Sequence, residues 1–375
     1  MNINHAILHV FDFGSQAGNS FSARELDMGD KVTKSFVQRH LRKVGGSPDN
    51  KHGEFLPESA FVGEFRRYLS GGNDFVTFSM DIADYLYGQL RLVEGMDPCD
   101  LLVCDYEDDP EKASSEGAAE GAPEGAESTG EMAGGEGGVP AVGPAADPDP
   151  RGRRIFAVML LPRKQAFVHV VATEGGQTEN RIARHDATLP GPAQKVDSYA
   201  LVDVEAMTVA FNDKKRTVAG VEVAVIPDCL LGCSAKASCR DVVETVTRIV
   251  EQVAEEYGSN TAVAMSKAKA LVAEKVDQNE YLPPWELGEE VFEDEPAMRQ
   301  RFEESARESD LPERVPMKRS VANRMAKSHR IRTDTGIEIT FPSEYSSNPE
   351  FIEFVTEADG SISIELKNIG SIENR

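Results

Sequence analysis

From Asp105 to Pro150 the chain runs through 46 residues with almost nothing large and apolar to offer a hydrophobic core. The stretch, which includes EDDPEKASSEGAAEGAPEGAESTGEMAGGEGGVPAVGPAADPDP, is nearly all Glu, Gly, Ala, Pro, Ser and Asp. Such a composition buries too little apolar surface to offset the entropy of ordering it, so disorder is expected over about 105–152. The flanks read differently. DLLVCDY before it and RRIFAVMLLP after it are strand-like, which predicts two neighbouring strands joined by an overgrown loop. The acidic stretch then interrupts a domain and does not separate two.

Charge follows the same division. The chain carries 40 Lys and Arg against 64 Asp and Glu, a net charge of -24, whereas a duplex-coating protein is usually basic. Residues 105 to 150 hold 13 of the acids and a single base, Lys112, so half of the excess lies there. The remainder is only mildly acidic, and local patches decide what it binds. The acidic stretch has two readings: a solvated insertion, or a tethered arm that competes with DNA for a basic patch.

The 375 residues allow two or three domains. No run of 18 apolar residues occurs, and INHAILHVFDFG lacks a basic region and cleavage site, so a chain that neither spans a membrane nor is secreted is expected. Five cysteines, an odd and low number, fit a reducing cytoplasm.

Ile3 to Phe13 and Ser20 to Leu26 read as a hairpin, followed by helices from about 30 to 44, from near Pro57, and from about 73 to 93. Strands follow near 154–161, 166–173, 178–185, 199–204 and 207–211. Ser238, three residues before Asp241, predicts a helix start, with Val242, Val246, Ile249, Val253 and Tyr257 at helical spacing up to Gly258. Asn260 caps a second helix to about Val276, and a third covers 295–308 after Pro283-Pro284. The expected class is α+β: an antiparallel sheet with helices over 1–225, a helical region over 226–312, and a basic connector with a small antiparallel β unit over 313–375.

In that last part Ile337, Ile339 and Phe341 alternate with polar residues, as do Ile362, Ile364 and Leu366. Asp334-Thr335-Gly336 and Asp359-Gly360 supply turn residues. A four-stranded unit is predicted, near 329–333, 336–341, 350–356 and 361–367. Its wording, TDTGIEITFPSEY and EFIEFVTEADGSISIELKNIGSI, resembles the C-terminal end of the bacterial nucleoid-associated protein family of the NdpA/YejK type. INHAILHVFD, FVTFSMDIADYLYGQL and DLLVCDYE fit the same family. The resemblance covers most of the chain apart from 105–152 and implies a nucleoid protein that contacts DNA or DNA-bound partners, with no active site.

Three places concentrate positive charge. From Arg314 to Arg332 there are seven Lys or Arg residues and no acid. Lys318, Arg319, Arg324, Lys327, Arg330 and Arg332 are the first candidates for phosphate contact, against the plainer reading of a solvated connector. On the helix from 30 to 44, Lys31, Arg39, Arg42 and Lys43 lie opposite Val37, Leu41 and Val44, as DNA contacts or a solvated face. Lys214-Lys215-Arg216, in an expected hairpin loop, is the weakest patch. No aromatic residues interleave the cations, which favours duplex backbone contact over a single-strand stacking platform.

Sites for chemistry are sparse. Cys229, Cys233 and Cys239 lack a nearby His to complete a zinc motif, and His5 and His9 lie on a strand without the Glu of a helical metalloprotease. His185-Asp186 has no nucleophile-elbow serine or cysteine to serve. Asp12, Asp105 and Asp203, near strand ends, leave a metal-dependent nuclease as the minor alternative. The expectation is therefore a non-enzymatic, cytoplasmic nucleoid protein that binds double-stranded DNA with little sequence preference, without cofactor or metal. The rival reading is an adaptor for a DNA-processing protein. The Val-rich helices from 241 to 276 supply either core or the face of a homo-oligomer.

Overall fold

The computed structural model describes residues 1–13, 19–108, 152–174, 177–279, 281–317, 322, 328–332, 335–342, 345, 348, 350–356 and 362–371. Of the stretch expected to be disordered over about 105–152, residues 105–108 instead end an ordered strand with Asp105 and Tyr106 buried, and 109–151 lie outside the described residues. The fold is α+β with mostly antiparallel sheets. The chain divides into two compact units, one of residues 1–40, 55–209 and 213–233, the other of 41–54, 210–212 and 234–375.

The first unit is built on β1 (Asn2–Phe11), β3 (Cys99–Asp108), β4 (Arg153–Pro162) and β7 (Ser198–Asp203), adjacent in that order and antiparallel throughout. The strand β2 (Lys51–Glu54) belongs to the second unit. β3 and β4 pair from Cys99 opposite Pro162 to Asp108 opposite Arg153 without a bulge. The chain thus leaves the sheet at Asp108 and re-enters beside it at Arg153, as the flanking strand patterns predict. β3, β4 and β7 are buried almost along their whole length, which explains why they read as continuous apolar runs and not as alternation.

Over this sheet pack α2 (Ala60–Leu69) and α3 (Phe75–Leu90), following α1 (Lys31–Gly45) in sequence. Asp74 caps α3, accepting from the Thr77 amide at 3.0 Å. Phe61, Phe65, Tyr68, Phe75 and Phe78 from the two helices meet Phe156 of β4 in one aromatic cluster. Of the predicted hairpin of 3–13 with 20–26, the described residues keep the bridge of Val10 with Ser20 and a bond from the Leu26 amide to the Ala6 carbonyl at 2.8 Å, and no continuous second strand.

β5 (Lys164–Glu174) and β6 (Gln177–Thr188) form a two-stranded ribbon, and β8 (Thr208–Asn212) follows β7. Next comes the hairpin of β9 (Lys215–Val218) and β10 (Val221–Ala224), whose turn residues Ala219 and Gly220 both have positive φ. A π-helical turn, Val225–Leu231, ends at left-handed Gly232 and was not expected from the sequence.

The second unit is largely helical: α4 (Cys239–Glu256), α5 (Thr261–Asn279), α6 (Pro284–Val291) and α7 (Pro296–Glu308). Ser238 and Asp241 form a reciprocal capping box on α4, and the Asn260 side chain accepts from the Ala262 and Val263 amides at the start of α5. Val242, Val246, Ile249 and Val253 of α4 enter a core with Leu271, Val272 and Val276 of α5 and Phe302 of α7. These valines are core residues here. Helix α6 follows the double proline, where no helix was predicted, because Pro284 at its first turn needs no hydrogen-bond acceptor.

The short pair β11 (Tyr281–Leu282) and β12 (Val315–Pro316) closes the helical part. Two hairpins follow, β13 (Ser328–Arg332) with β14 (Glu338–Pro342) and β15 (Ile352–Thr356) with β16 (Ile362–Leu366). All four predicted strands are present, and among the described residues they pair as two two-stranded ladders. Phe341 and Phe354 touch across them, their ring centroids 6.4 Å apart. Among the described residues, no helix is long and apolar enough to cross a membrane.

Candidate nucleic-acid interface

Lys318, Arg319, Arg324 and Lys327 lie outside the described residues. Arg330 and Arg332 are on β13, opposite Thr340 and Glu338. Arg332 is exposed, with its guanidinium 4.0 Å from the Glu338 carboxylate. At that distance in open solvent the pair holds the side chain only loosely.

The second group sits on α1. Asp30 starts this helix, accepting from the amides of Val32 and Thr33 at 3.3 and 3.0 Å and from the Thr33 hydroxyl at 2.6 Å. The Thr33 hydroxyl, then the two amides, hold the Asp30 carboxyl below the usual carboxylate range. Val37, Leu41 and Val44 are buried. At 100° per residue Lys31, Arg39 and Arg42 fall on the opposite side, and all three are exposed, while Lys43 is half-buried. Arg42 and Lys43 stand in the last turn, where a cation also complements the helix dipole. Cations on α5 and α7 are ion-paired. Lys275 lies 3.2 Å from Glu286 and 2.5 Å from Glu290, and Arg301 is 3.0 Å from Glu256.

The third patch does not survive as a loop. Lys215 and Arg216 belong to β9, and Arg216 is buried, donating to Asp213 at 2.7 Å and to the Ser198 hydroxyl at 2.6 Å. Its charge is spent inside the fold, because the register that pairs β9 with β10 turns Arg216 inward.

The side chains considered for chemistry are occupied by structure. Asp105, fully buried, accepts from Tyr68 at 2.5 Å and from Arg154 Nε and Nη2 at 3.0 and 2.7 Å. Asp203 accepts from Arg153 and from the amides of Glu205 and Ala206, and Asp12 lies 3.8 Å from Arg163. Sequence reading missed these arginine partners, which become neighbours only through the pairing of β1, β3, β4 and β7. Burial, reinforced by the bond to Asp105, keeps the Tyr68 hydroxyl protonated well above its ordinary range.

His9 is fully buried, and burial pushes its pKa down to about 4. Its Nδ1 accepts from the Ser22 amide at 3.1 Å, so the proton sits on Nε2 and is donated to the Ser79 oxygen at 3.1 Å. Ser79 in turn donates to the Val76 carbonyl. A histidine that donates to a serine is not activating it as a nucleophile. His5 pairs with Glu25 at 3.0 Å and stacks on Phe75. His185 lies on β6 opposite Ala166. Burial raises the thiols of Cys233 and Cys239 to about 11 and that of Cys229 above its ordinary value. Among the described residues, no cluster of three His, Cys, Asp or Glu side chains could hold a metal ion.

No curated protein matches the chain. A family model, described as nucleoid-associated protein YejK, matches residues 7–113 and 155–373. The unmatched 114–154 between these segments coincide with most of the acidic stretch. With both ends and the greater part of the sequence matched, the chain belongs to the NA37 family of nucleoid-associated proteins.

Proposed function

We propose that the protein binds double-stranded DNA in the cytoplasmic nucleoid, through phosphate contacts and with little sequence preference. The observation that carries this reading is the run from Arg314 to Arg332, seven cations without an acid in a chain of net charge -24. Family membership supports the nucleoid-associated role, and the exposed Lys31, Arg39, Arg42 and Arg332 supply further cations at solvent. Such contacts fix a protein on the duplex without reading its bases.

The test is fluorescence anisotropy with a labelled duplex across a salt series. Replacing Lys318, Arg319, Arg324 and Lys327 by Ala is expected to weaken binding and to flatten the slope of log affinity against log salt by about 0.9 per lost phosphate contact. Unchanged affinity and slope would reject the assignment. The acidic balance of the chain favours a second reading, an adaptor that reaches the nucleoid through a DNA-processing protein. That reading expects no duplex binding at physiological salt, and a protein partner retained after nuclease treatment.

A further inference from the structure

Among the described residues, nothing covers one face of the ribbon of β5 and β6. Its register sets Phe167 opposite Arg184, His169 opposite Ile182 and Val171 opposite Asn180. Directly opposed residues share a face, as do residues two apart on one strand. These six side chains therefore lie together, and Phe167 is 75% exposed, Val171 59% and Ile182 80%. Among the described residues, the two strands pack chiefly on each other. A lone two-stranded ribbon is marginally stable in water, and a row of large apolar side chains on one marks a contact surface.

We propose that this face receives a second copy of the chain, two ribbons packing face to face about a two-fold axis. Charge selects the occupant. Of the six side chains on this face Arg184 alone carries a formal charge, so the face is nearly uncharged on a chain of net charge -24. Two copies of an acidic protein meet there without the repulsion they meet elsewhere. A nucleic acid would require a row of cations along its phosphates, and this face has one, Arg184.

Area agrees with this choice. The exposed parts of Phe167, Val171 and Ile182 amount to roughly 400 Å² of apolar surface per copy, about half of the ~800 Å² per partner in a stable interface. His169, Asn180 and Arg184 supply polar groups beside that apolar centre. A two-fold operator brings the same apolar row onto itself, which makes the surface self-complementary.

The test is the molar mass of the full chain by light scattering over a concentration series, for the wild type and for the double variant Phe167→Glu, Ile182→Glu. Both side chains are exposed, so the variant should keep its far-UV circular dichroism. The wild type is expected to approach twice the chain mass, with the variant remaining at the chain mass at a hundredfold higher concentration. A separate Val171→Cys chain in a Cys229→Ser background should form a reducible dimer under mild oxidation, and the Cys229→Ser chain alone should not. If the double variant loses its fold, this cross-link decides. A wild type at the chain mass throughout, or a dimer that the substitutions leave intact, would overturn the proposal. A monomeric wild type whose duplex affinity drops tenfold in the variant would also overturn it and assign the face to DNA.

Discussion

Asp105 offers the sharpest test of whether the carboxylates near the strand ends belong to the fold or to a metal site. It is fully buried and accepts three hydrogen bonds, one from Tyr68 and two from Arg154. Asp105→Asn keeps the shape but replaces one acceptor oxygen by an NH2 that faces donors. Breaking a buried ion pair costs about 3–5 kcal/mol. Arg154 is 38% exposed and can recover part of its solvation, so the low end, about 3 kcal/mol, is expected. Tyr68→Phe removes one bond to a charged acceptor and should cost about 1.5 kcal/mol.

Amide hydrogen exchange in β3 and β4 measures these losses where they occur. A 3 kcal/mol loss is expected to lower protection of amides in the buried strand centres, such as Val103 and Val158, by about a hundredfold where they exchange through global unfolding. A loss below about 1 kcal/mol for Asp105→Asn would refute the view that this network anchors the sheet. Magnesium or manganese should leave wild-type stability unchanged. Stabilisation of the wild type by either ion, absent in the variant, would instead make Asp105 a cation ligand.

His9 predicts an acid-side loss of stability. Its folded pKa is about 4 against an ordinary 6.5, so below pH 6.5 the unfolded chain takes up a proton that the folded chain refuses. Stability is therefore lost as pH falls from 6.5 towards 4, by about 2 kcal/mol at pH 5, and urea midpoints should show His9→Gln to be less pH-dependent than the wild type. Cys229 is partly exposed while Cys99, with its thiol pushed up to about 12, and Cys104 are buried, so Cys229 should react first with a thiol reagent and the other two only on unfolding. A Cβ at Gly288 would lie 2.0 Å from the ring of buried Phe302, so Gly288→Ala should destabilise the helical core by about 1–3 kcal/mol. Fluorescence of Trp285, which packs against that core, reports the change.

Local chemistry in the sequence determined the elements themselves. Ser238 and Asp241 specify the start of α4 wherever it packs, since a capping box closes within four residues. The apolar runs on either side of the acidic stretch determined that β3 and β4 would be strands, and the shortage of apolar residues between them that the stretch could add nothing to a core. The contrast between the cations of 314–332 and the acidic remainder was likewise legible, because charge is read from composition alone.

What tertiary structure decided is which of those residues remain available. Arg216 looked like part of a basic loop until pairing of β9 with β10 buried it against Asp213 and Ser198. Asp105 and Asp203 looked like scattered carboxylates until β4 brought Arg154 and Arg153 beside them. The valines of α4 suited a core or an outer face equally by spacing, and only contact with α5 and α7 made them core. On β5, by contrast, Phe167 and Val171 read as ordinary strand residues and emerged exposed. Periodicity records which side chains share a face, whereas the burial of that face depends on partners distant in sequence.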